Sequence, residues 1–125
     1  MPGMFASPLA SPNLKAKGLT TYLAPIAKGT IFAGPTGVAV RDITDGTSNT
    51  ILIVEANTDH AVIWTKPSDL PVDFKDPTNG LTGQADDRFR AVFADGSAHA
   101  IQISVPAETL RRLMQMNDGE VVGKF

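Results

Sequence analysis

"FRAVFADGSAHAIQI", residues 89–103, carries the strongest local signal in the chain. Two alternating runs flank Asp95-Gly96, and an Asp-Gly pair between such runs marks a tight β-hairpin. A two-residue type I′ loop needs positive φ at both central positions, which Asp tolerates and Gly adopts without steric cost. That loop pairs Ala94 with Ser97, Phe93 with Ala98 and Val92 with His99. Phe89, Ala91, Phe93, Ala98 and Ala100 then share one face, and Val92, His99, Ile101 and Ile103 the other. A hairpin that is apolar on both sides belongs inside a larger sheet.

Downstream, the spacing predicts a helix over 106–117. Ser104 or Val105 would cap it, Pro106 suits a first turn, and Glu108 complements the positive N-terminal end. Ala107, Leu110, Leu113 and Met114 form an apolar stripe, with Arg111 and Arg112 towards the other end. Asn117-Asp118-Gly119 supplies the stop, and "GEVVGKF" offers a last short strand.

Upstream, Ile51–Val54 reads as a strand buried on both faces. Ala61–Trp64 is the next strand, so "EANTDH" becomes a hairpin-like connection. Thr20–Leu23 and Thr30–Phe32 are β-prone, and Val38–Ile43 alternates loosely. Residues 65–87 hold three prolines and seven charged residues, which predicts a surface excursion with a helical turn near Ser68–Leu70. Residues 1–18 read as an irregular arm, punctuated by Pro2, Pro8 and Pro12. The expected fold is α+β: one domain over 19–125, mainly antiparallel sheet, with the C-terminal helix packed on one face.

Bulk composition narrows the function classes. A 125-residue chain fits one domain, and a mean hydropathy near zero with 42% hydrophobic residues is globular, not disordered. A net charge of -2 and no basic cluster beyond Arg111-Arg112 argue against nucleic acid or anionic lipid as partner. With no cysteine, neither a disulfide framework nor a thiolate zinc site is available. No apolar run approaches the roughly 20 residues that span a bilayer, and the first residues lack a signal-peptide pattern. No membrane contact is expected from this segment.

The hydroxyl-rich stretch "RDITDGTSNTILIVEA", residues 41–56, is the obvious place to look for chemistry. A nucleophilic Ser48 needs a base and a group that orients it. The histidines are His60 and His99, and Ser48 has no G-x-S-x-G setting. A phosphate loop fails too, with one glycine and a strand instead of a helix behind it. Asp42, Asp45, Glu55 and Asp59, with His60 nearby, suit a hard cation such as calcium, although EF-hand spacing is absent. The structural alternative is an Asx-type turn at Asp45-Gly46 with Ser48 and Asn49 bonding loop backbone. We expect no catalytic residue and no cofactor, with calcium at Asp42, Asp45, Glu55 and Asp59 as the alternative.

Four motifs in order, "RDITDGTSNTILIVEA", "AVIWTKPSDLPVD", "FRAVFADGSAHAI" and "ETLRRLMQMNDGEVV", resemble the planctomycete family called domain of unknown function 1559. That family is also labelled solute-binding-protein-like. The resemblance runs from about Leu19 to Val122. Many members begin with a prepilin-type segment and a long hydrophobic helix, which these residues do not contain. Many also place a histidine where Ala85 stands here. The resemblance implies a pseudopilin-like, non-enzymatic module of the cell envelope or extracellular space, related to type II secretion subunits. Its partners would be proteins, further copies of the chain included. The alternative is a small-ligand or calcium-binding module using the 42–60 loop and the 65–87 excursion.

Overall fold

A computed structural model describes residues 1–8, 11–66, 68–84 and 86–120. Its centre is a four-stranded antiparallel sheet in the order β2 (Tyr22–Leu23), β4 (Ile51–Glu55), β7 (Arg88–Phe93) and β8 (Ala98–Gln102). The extended run from Leu19 to Ile26 is zipped to three partners in turn. β1 (Leu19–Thr20) pairs with β5 (Val62–Ile63), β2 pairs with β4, and β3 (Pro25–Ile26) pairs in parallel with β6 (Leu70–Pro71). The fold is thus α+β and mainly antiparallel, as the sequence implies.

The apolar core lies on one sheet face. Leu23, Ile51, Val54, Phe89, Ala91, Phe93 and Ile101 meet Leu110, Leu113 and Met114 of the C-terminal helix α2 (Ala107–Met114). Burying each of these larger side chains contributes roughly 1.5–3 kcal/mol. A bulge between Ile51 and Ile53 lets both Ile51 and Val54 face this core. On the other face, Glu55 stands opposite Tyr22.

The hairpin forms, but one residue out of the expected register. Val92 pairs with Ala98, Ala91 with His99 and Phe89 with Ile101. Gly96 N donates to Phe93 O and Phe93 N to Ser97 O, and Gly96 alone of the Asp-Gly pair has positive φ, at 86°. This is a three-residue loop, a type I turn closed by a glycine bulge. Burial explains the choice. The expected register would bury Ala98 and Ala100 and expose Ile101, whereas the observed one buries Ile101 and leaves both alanines exposed.

Other expectations need correction. Helix α2 is shorter than 106–117: Pro106 is its cap and Gln115 is already extended. Met116 N donates to Gly29 O, so a long-range backbone bond takes over where the helix stops. Ala107, placed on the apolar stripe, is exposed. Thr30–Phe32 is a turn, with the Thr30 hydroxyl bonded to Ala27 O, and Val40–Asp42 is a 3-10 turn. Strand β5 joins β1 and not β4, because a 3-10 turn at Thr58–His60 redirects the chain. Leu70 lies in β6, not in a helical turn, and the 65–87 excursion inserts Leu70 and Leu81 into the core. The arm contains a short helix α1 (Pro12–Ala16), capped by the Ser11 hydroxyl. The expected strand in "GEVVGKF" falls largely outside the described residues. Among the described residues, no helix is long and apolar enough to cross a membrane.

Candidate functional site

The turn at Asp45 is a clasp between distant segments. Its carboxylate accepts the backbone N–H groups of Asp118 and Gly119, at 3.0 Å each, and Asp45 N donates to Met116 O at 3.0 Å. The expected local Asx turn is therefore replaced by a long-range one. Asn49 Nδ2 donates to Asp45 O at 3.2 Å and the Thr50 hydroxyl to Gly46 O at 3.0 Å, which stiffens the loop from inside. The loop's own carbonyls then hold the hairpin tip, with Asp95 N on Thr47 O and Ala94 N on Thr50 O. Ser48, expected to bond the loop backbone, is exposed.

The four calcium candidates lie apart in role. Asp42 closes its own 3-10 turn by accepting Ala39 N at 2.8 Å. Asp45 holds the segment after α2, Glu55 is buried on the sheet, and Asp59 is exposed. Among the described residues, no group of three or more His, Asp or Glu side chains is placed to hold a metal ion.

Glu55 anchors the N-terminal arm to the sheet. It is 3% exposed and accepts a hydrogen bond from the Ser7 hydroxyl. Tyr22 and Arg90 share its surroundings. Burial first, and the Glu55 carboxylate second, pushes the Tyr22 phenol above its usual range. Arg90 is forked onto Asp86, and that hydrogen bond holds the Asp86 carboxyl below its usual range.

The hydrogen bonds of the two histidines run to residues other than Ser48. His60 Nδ1 lies 2.8 Å from Asn57 Oδ1, within a turn that also fastens Asn57 N to Gly80 O. His99 packs edge-on against Phe93 and lies 3.2 Å from the Ser97 hydroxyl. That hydroxyl donates to Asp95 at 2.6 Å. The order differs from a catalytic triad, where the carboxylate orients the imidazole and leaves the hydroxyl proton to it.

A different surface emerges from the structure. Phe5 and Trp64 stack with ring centroids 5.5 Å apart, yet remain 38% and 39% exposed. Their chain neighbours Met4 and Ile63 are exposed as well. Trp64 N donates to Gly18 O, and the Thr20 hydroxyl donates to Phe5 O, so the platform is tied to β1 from both sides. The sequence signal was faint: a lone tryptophan beside the polar run after Ile63.

A family model described as "Protein of unknown function (DUF1559)" matches residues 10–87, well over half of the chain. The chain belongs to this family. The DUF1559 match spans the Asp45 turn, β4 and the 65–87 excursion, and ends before the β7–β8 hairpin. It is therefore shorter than the resemblance read from the four motifs. No curated protein and no solved structure matches the chain.

Proposed function

We propose that this DUF1559 chain is a non-enzymatic structural and interaction module of the cell envelope or extracellular space, resembling a pseudopilin globular domain. It works through protein–protein contact. The observation that carries this reading is the Phe5–Trp64 platform, where stacked aromatics with exposed Met4 and Ile63 stay open to solvent. Aromatic and methionine side chains are enriched at the centres of protein interfaces, and their exposure costs a soluble fold contact area it could otherwise bury. The Asp45 clasp supports the same reading, because its polar groups bond the protein's own backbone. Calcium at the 42–60 loop would have to share the Asp45 carboxylate with the backbone N–H groups of Asp118 and Gly119, and calorimetry with calcium decides that alternative.

The test is to fractionate cells producing the gene's full product, as wild type and as the Phe5→Ser, Trp64→Ser double variant. Wild type should appear in the envelope or extracellular fraction within a larger assembly. The double variant should fold normally but leave the assembly. A free, cytosolic wild-type product would overturn the proposal.

A further inference from the structure

Among the described residues, β8 is the last strand of its sheet and no strand pairs with its outer edge. The β7–β8 ladder is bounded by Phe93 N to Ser97 O at one end and Ile103 N to Asp87 O at the other. Antiparallel alternation then turns the backbone of His99 and Ile101 towards β7. The N–H and C=O groups of Ala98 and Ala100, and the N–H of Gln102, point away from the sheet. The Gln102 carbonyl already accepts Val105 N at 3.0 Å and keeps a second lone pair. Proteins normally protect such an edge with lysine, proline or a bulge. From Ser97 to Val105 this chain has no Lys, Arg, Asp, Glu or Pro, and the ladder is regular.

We infer that β8 adds, antiparallel, to β8 of a second copy of this chain, making one continuous sheet across a two-fold axis. The strand is complementary to itself. With Ala100 opposite Ala100 of the second copy, the two exchange both backbone hydrogen bonds at the axis, and Ala98 meets Gln102 on either side. Ala98 and Ala100 are exposed and small, so side chains do not obstruct the approach. The sheet's opposite edge cannot serve as partner. Strand β2 is two residues long, and the chain on either side of it is engaged by β5 and β6. That blocks head-to-tail addition of β8 to β2 and leaves the closed pair. This inference is independent of whether the Phe5–Trp64 surface engages a partner.

The chain has no cysteine, so a single introduced thiol reports the geometry cleanly. Directly opposed residues in a hydrogen-bonded pair have Cα atoms about 5.5 Å apart, within disulfide reach. Under mild oxidation Ala100→Cys should give a disulfide-linked dimer, while Ala33→Cys, exposed outside the sheet, should not. In sedimentation, wild type should show a concentration-dependent dimer. Ala100→Lys, which opposes two like charges at the axis, should weaken it at least about tenfold without changing the circular dichroism spectrum. A wild type that stays monomeric at high concentration, or a dimer indifferent to Ala100→Lys, overturns the inference.

Discussion

The Asp45 carboxylate accepts the Asp118 backbone N–H at 3.0 Å, joining residues 73 positions apart. The same carboxylate holds Gly119 N, so one side chain fixes the segment that follows α2. Hydrogen bonds to a charged acceptor contribute about 1.5–3 kcal/mol. Asp45→Ala should lower unfolding stability by roughly that amount, and urea denaturation measures it. An unchanged midpoint would mean that the clasp is ornamental.

Asp118 gives the clasp a pH dependence. Its carboxyl is held above its ordinary value, by burial first and by the neighbouring Asp45 among the further causes. A native acid that keeps its proton more tightly than the unfolded chain stabilises fully only below the unfolded value. The contribution is lost as pH rises through the folded value. Asp118→Asn should therefore raise stability at neutral pH, by on the order of 0.5 kcal/mol because solvent screens the pair. The gain should vanish in acid, below the ordinary carboxyl range. Melting temperatures at the two pH values decide this, and a gain that persists in acid contradicts it.

Two glycines separate backbone strain from crowding. Gly96 has φ 86° and open space around it, so Gly96→Val meets strain alone, about 1–3 kcal/mol. Gly80 has φ 89°, and an added Cβ would stand 2.8 Å from Leu70 Cδ1. Gly80→Ala should cost more than Gly96→Ala, which meets the strain of a positive φ alone, because Leu70 is buried in the core and must give way. Thermal melts of both alanine variants give the ranking, and the reverse order would put the Leu70 contact in error.

The arm should be held by Ser7. Removing its hydroxyl leaves buried Glu55 without that donor, at a cost of about 1–3 kcal/mol. Ser7→Ala should expose Lys15 and Lys17 to faster tryptic cleavage than in wild type. Equal cleavage rates would show that the arm docks by other contacts.

Much of the fold was legible in local pattern. A continuous apolar run marked β4, alternation marked β7 and β8, the stripe Leu110, Leu113 and Met114 marked α2, and Asp95-Gly96 marked the hairpin. The hairpin register was not legible, because Asp-Gly serves a two- or a three-residue loop and the burial of Ile101 selects the latter. The end of α2 escaped for a related reason: the chain leaves the helix to bond Gly29 and Asp45, which are remote in sequence. At the candidate site, the hydroxyl-rich turn drew attention for its composition, while its partners lie near residues 94 and 118. The Phe5–Trp64 stack joins residues with no sequence pattern between them.

The most direct measurement is photocross-linking in cells with a benzophenone amino acid in place of Trp64, beside the same probe at Thr82, which is also exposed. Contact through the Phe5–Trp64 platform should give discrete, higher-mass adducts from position 64 and none from position 82. Equal labelling from both positions, or no adduct from position 64, would contradict a protein-contact role for this surface.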